Sequence, residues 1–139
     1  MFAVTEAMIF AFTFVLFVAG YRTGVAQSKK RLAARFESRK ENSIDEFYDL
    51  FYKSSGIDKT LIQELLEHVA GELDLPVARL IPSDRFDVEL APDKGWEYGA
   101  GHGILRLELK KWAKQKELEI DISSVHTLDE YLRLAASVY

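Results

Sequence analysis

Residues 79–109, RLIPSDRFDVELAPDKGWEYGAGHGILRLEL, decide how the rest of the chain is read. The stretch opens with a rigid Ile81-Pro82-Ser83-Asp84 corner, in which Asp84 can cap a turn. It continues through Phe86, Val88 and Leu90, read as core contributors in irregular backbone. Residues 91–103 read as a long loop with four glycines and Pro92. A helix is expected to resume at Ile104, with Leu105, Leu109 and Trp112 inward and Lys110, Lys111, Lys114 and Lys116 outward. Strongly helical segments lie on both sides, so any working surface is expected at the glycine-rich turn and the helix behind it.

Upstream, Asp58 is placed to cap a helix in which Leu61, Ile62, Leu65, Leu66, Val69, Ala70 and Leu73 share one face. Pro76 closes it, and a short turn over Val77–Ile81 leads into the corner. Before that helix, Ser43-Ile44-Asp45-Glu46 is a capping box, and Ile44, Phe47, Tyr48 and Phe51 follow at helical spacing until Ser54-Ser55-Gly56. Downstream, Leu118, Ile120 and Ile122 alternate as in a short extended segment. Thr127-Leu128-Asp129-Glu130 is a second capping box, opening a last helix with Leu128, Tyr131, Leu132 and Ala135 on one face.

Charge divides the chain into three blocks. Residues 1–21 hold no Lys or Arg and one acid, Glu6; residues 22–41 carry a net +5; residues 42–139 carry a net −8. In the first block, Phe2–Tyr21 is apolar all round a helix, which does not suit a core helix with a single buried stripe. A span of about 20 residues crosses a hydrocarbon core. A cleaved signal peptide should have a positive segment before its apolar run, and none precedes Met8. The expectation is a transmembrane anchor over 1–22, a basic helical stalk over 23–42 and a helical domain over 43–139. Lys and Arg lie on the C-terminal side of the anchor, so the domain is expected in the cytoplasm. Lys29, Lys30, Arg31 and Arg35 serve either as a topology signal and nothing more or also rest on anionic headgroups of the bilayer. In the stalk, Leu32 and Phe36 form the only apolar pair. Gly20 and Gly24 have small-xxx-small spacing but fall at the membrane edge.

Several chemistries find no support in the sequence. The chain has no cysteine, hence no thiol nucleophile, thiolate metal site or disulfide. His68, His102 and His126 are too scattered to suggest a metal site by themselves. No serine sits in a nucleophile-elbow context. Gly99–Gly103 follows no strand and carries no Lys, unlike a phosphate-binding loop. The acidic balance of residues 42–139 disfavours nucleic acid as a partner. No enzyme, metal or cofactor is expected.

From Asp58 to Val138 the order and spacing of these motifs resemble an acyl-carrier-protein-like domain. The capped helix, the Leu80-x-x-x-Asp84-x-Phe86 corner and Glu89-Leu90 resemble that family's first helix and loop. Ile104-Leu105-Arg106-Leu107-Glu108-Leu109 resembles its second helix. Ile120-Asp121-Ile122 and Thr127–Tyr131 resemble the extended run and closing helix. For that stretch the resemblance implies a small acyl-carrier-like bundle, so that with the transmembrane helix and stalk before it the expected fold is all-α. It places Gly103 where the family carries its phosphopantetheine serine and His102 on the preceding aspartate, so the usual prosthetic arm has no hydroxyl to join. It also implies that partners read the second helix, here basic where the family's is acidic.

Trp96 and Tyr98, in the long loop, either cover the core or anchor a partner. With His102, Gly103, Arg106, Lys110 and Lys114 they make up the candidate interaction surface. The expected function is a non-catalytic interaction module with an unidentified protein partner, as in a subunit of a membrane complex. The rival reading is a genuine carrier or lipid-metabolism component modified at another serine, which intact mass distinguishes.

Overall fold

The computed structural model describes residues 2–93 and 100–139, with side chains described for residues 6–93 and 101–139. Trp96 and Tyr98 lie outside the described residues. Five α-helices follow one another: α1 (Phe2–Phe36), α2 (Ile44–Phe51), α3 (Lys59–Leu73), α4 (Ala100–Gln115) and α5 (Leu128–Val138). Short 3₁₀ turns occupy Val77–Arg79 and Ile122–Ser124. Among the described residues there is no strand, only an isolated antiparallel bridge between Arg85 and Thr127. The fold is therefore all-helical.

The helix boundaries follow local chemistry. Ser43 and Thr127 each accept a hydrogen bond from the amide three residues on, and Glu46 and Glu130 reach back to the cap amides, completing both capping boxes. Asp58 accepts from the amides of Thr60 and Leu61. At the far end of α3, Asp74 takes the left-handed conformation (φ 56°), and the Leu75 amide bonds back to the Ala70 carbonyl before Pro76 stops the helix.

The core lies between α3, α4 and α5. Ile62, Leu65, Leu66, Val69, Ala70 and Leu73 of α3 meet Leu105, Leu109 and Ala113 of α4 and Leu128, Tyr131, Leu132, Ala135 and Val138 of α5, all buried. Phe47 of α2 and Tyr52 close one end, their rings stacked at 5.6 Å. Leu90 is buried and Phe86 packs against the core, but Val88 stands 52% exposed. Leu118 is also exposed, while Ile120 and Ile122 are half-buried. With no partner strand to pair with, 118–122 follows the left-handed turn at Glu117 (φ 55°) and closes in the 3₁₀ turn capped by Asp121.

Two helix boundaries also need correcting. The helix expected at Ile104 begins at Ala100, so Gly101, His102 and Gly103 are helical rather than loop. The reason is packing. A Cβ on Gly101 would collide with the carbonyl oxygen of Glu72 and lie 2.9 Å from its carbon, so only glycine lets α4 start this close to the end of α3. The second concerns the stalk, expected helical over 23–42, whose helix ends at Phe36. Phe36 is fully buried in the common core and Leu32 packs against it.

α1 thus has two unlike halves. Met8, Ile9, Phe10, Phe12, Phe14, Val15, Leu16 and Phe17 are all exposed, on every side of the helix. The segment from Glu6 is long and apolar enough to cross a membrane, and none of its apolar window is buried in the fold. The second half runs against the 74–93 region and is held there by its cations.

Candidate functional site

The Ile81–Asp84 corner is where the chain's distant parts meet. Asp84 is the one buried charged residue among those described, at 1% exposure. Its Oδ2 accepts from the Ile81 amide at 2.9 Å, closing the corner. Both carboxylate oxygens also face Arg39, at 2.7 and 2.9 Å, a two-pronged charge-assisted pair. The hydrogen bond that the Arg39 guanidinium donates to Asp84 holds its pKa above the ordinary value. Arg39 also donates to the Arg79 carbonyl at 3.1 Å and lies over the Phe36 ring.

The exchange runs in the other direction too. Arg79 donates to the carbonyls of Phe36 and Glu37, each at 3.2 Å, where α1 ends. Further along, the Asp84 and Pro82 carbonyls accept from the amides of Leu128 and Asp129 at 2.8 and 2.9 Å. The corner therefore fills open donors in the first turn of α5 while fastening the end of α1. Asp129 in turn accepts from the buried Tyr52 hydroxyl at 2.7 Å and from Arg133.

Closer to the apolar half of α1, Ser28 and Arg31 both donate to Asp93 at 2.8 Å. Arg35 donates to the carbonyls of Ala91 and Glu89, and Lys29 pairs with Asp74 at 3.2 Å. Three of the four cations expected at headgroups thus have partners within the chain; Lys30 is exposed. Sequence reasoning missed this clamp. The available signal was an aspartate inside an otherwise apolar corner, which requires a cation from somewhere once buried.

The candidate interaction residues divide into two sets. Gly103, Arg106, Lys110 and Lys114 are exposed along one stripe of α4, joined by Lys111 and by the apolar side chains of Ile104 (40% exposed) and Leu107 (67% exposed). A Cβ at Gly103 would meet nothing within 4 Å, so this position in the first turn of α4 is open to a partner. His102 turns the opposite way and stacks edge-on against Phe86 at 6.0 Å. Burial pushes its pKa down, opposed by the carbonyls of Leu90 and Phe86 beside the ring. His102 borders a cavity of about 30 Å³ between α4 and α5.

Elsewhere, His68 meets Glu108 at 2.5 Å, joining α3 to α4. Among the described residues no cluster of three or more His, Asp or Glu is placed to hold a metal ion.

No family model matches the chain, and no solved structure matches it. Part of it is similar to the phosphoglucosamine mutase of Dechloromonas aromatica (strain RCB), 42% identical over 57 residues. That match takes in 38% of this chain but spans only 12% of the length of the mutase.

Proposed function

We propose that this chain is a single-pass membrane protein that presents an acyl-carrier-like helical domain, unable to carry the usual prosthetic arm, at the cytoplasmic face. The domain works as a non-catalytic interaction module, as a subunit of a membrane complex does. The observation that carries this reading is the contrast within α1: an apolar half exposed on every side runs without a break into a cationic half clamped to the folded domain. A soluble domain gains nothing from such an unburied apolar helix, whereas a bilayer covers it fully. The cytoplasmic side follows from the Lys and Arg that come after the span.

The partner surface is the outer stripe of α4. Ile104 and Leu107 supply apolar contact, and Arg106, Lys110, Lys111 and Lys114 favour an acidic partner. The glycine at 103 supports a scaffold rather than a carrier, because no hydroxyl stands there to be esterified. The test is recovery of associated proteins from native membranes in mild detergent, comparing the natural chain with Lys110→Glu/Lys114→Glu. A specific associated protein that is lost from the double variant supports the module. An associated protein retained equally by both would remove α4 as the contact surface. Intact mass from the same material should equal that of the unmodified chain; a phosphopantetheine adduct on any serine would favour the carrier reading instead.

A further inference from the structure

Three polar groups converge on the cavity between α4 and α5. Tyr131 is 2% exposed, yet its hydroxyl has no hydrogen-bond partner, and neither has Nε2 of His102. Arg106 lines the same cavity, one helical turn beyond His102 and close enough to act on its charge. The other walls come from Phe86, Leu105, Leu109, Ile122 and Val125, so no carboxylate lines it. At about 30 Å³ the cavity takes a water or a monatomic ion and excludes larger guests.

What fills it depends on the charge of His102. Because Nε2 has no partner, the carbonyls of Leu90 and Phe86 act on the Nδ1 proton, and in the neutral ring Nε2 is a bare acceptor. A water suits that state, donating to Nε2 and accepting from Tyr131. Burial and the Arg106 charge both push the His102 pKa down, and the positive end of α4, where His102 sits, acts the same way. Once the ring takes a proton, Nε2 becomes a donor, and the cavity is left with donors only, two of them cationic. A water has lone pairs for two donors and no charge to offset them, whereas an anion of similar size accepts from all three. The nearby acids are committed elsewhere. Glu72 and Glu108 act on Tyr131 from outside the lining, and Glu108 is paired with His68. Glu89 and Glu130 accept backbone amides, and Asp87 pairs with Arg85.

We propose that this cavity is a halide site, in which chloride is held by the Arg106 guanidinium, the Tyr131 hydroxyl and the Nε2 proton of His102. The ion enters as the ring is protonated, so binding and protonation favour each other by the same factor. Arg106 is exposed, which lets an ion arrive without opening the core. The site stands apart from the anchor and the partner surface proposed above, and its test does not depend on either.

The test follows the imidazole resonances of the full chain in lipid nanodiscs as pH is lowered. One series is in sodium chloride and the other in sodium gluconate at equal ionic strength; gluconate is too large for the cavity. His102 should hold its proton about tenfold more tightly in chloride, while exposed His126 titrates alike in both salts. Arg106→Gln, a change at an exposed position, should remove most of the difference at His102, with the amide spectrum checking that the fold is kept. Identical titration of His102 in the two salts would overturn the proposal and leave the cavity to water. An equal chloride effect at His126 would mark general ion binding and overturn it too, and an undiminished difference in Arg106→Gln would place the ion elsewhere.

Discussion

Removing the Arg39 guanidinium leaves the Asp84 carboxylate buried with only the Ile81 amide as a partner. Breaking a buried pair from one side costs about 3–5 kcal/mol, a large share of the roughly 5–15 kcal/mol that holds a domain together. Arg39→Ala should therefore lower stability by about 3 kcal/mol, whereas Arg85→Ala, whose pair with Asp87 is exposed, should change it far less. Chemical denaturation measures both. The two α4 glycines should separate as clearly. Gly101→Ala forces a methyl into the Glu72 carbonyl and should destabilise by about 1–3 kcal/mol. Gly103→Ala enters open space in a helix and should stabilise by about 0.5–1 kcal/mol. His102 adds a pH dependence. Its folded pKa lies below the ordinary 6.5, so its stabilising contribution is complete above that pH and is lost as pH falls towards the folded value. Melting curves between about pH 7.5 and about pH 5.5 should thus fall further for the natural chain than for His102→Gln. At this scale the sequence is only half legible. Asp84 stands out in its proline corner, but its partner lies 45 residues away, and nothing local marks Arg39 among the stalk's other cations.

Among the elements, α3 is the one whose inward face is plain from spacing alone. Leu65 and Leu66 are each 1% exposed, and cutting either to alanine should cost about 2–5 kcal/mol, against little for the exposed Glu64→Ala. The two capping boxes are equally readable, because their bonds are local and their four-residue pattern is the structure. α4 is where reading by pattern stops short. Glycines at 99, 101 and 103 read as a turn, yet Gly101 is there for the close crossing with α3, which is information held by another element. The 118–122 alternation fails for a related reason: period two makes a strand only where a second strand accepts its amides. The stalk is a further case. Leu32 and Phe36 are visible as a pair, but their burial depends on a groove assembled from the rest of the chain. A chain beginning at Asn42 loses Phe36 and Arg39, and should be less stable than one beginning at Ser28 by about 3–5 kcal/mol. Equal stability of the two would place the end of α1 outside the cooperative unit.

For the whole molecule, the separation of charge gains a physical purpose from the fold. The net +5 of residues 22–41 and the net −8 of residues 42–139 meet where Lys29, Arg31 and Arg39 pair with Asp74, Asp93 and Asp84. These bonds tie the domain to the helix just beyond its apolar half, so the stripe on α4 is presented at a set distance from the proposed bilayer. The surface pairs in this set weaken with salt, while the Arg39–Asp84 pair is shielded by burial. That presentation depends on α1 being seated in a membrane. Alkaline extraction of membranes carrying the natural chain tests that most directly, read by intact mass of the recovered protein. The account predicts the full-length chain in the membrane pellet; release into the supernatant, or a mature chain starting near Tyr21 or Gln27, would contradict it.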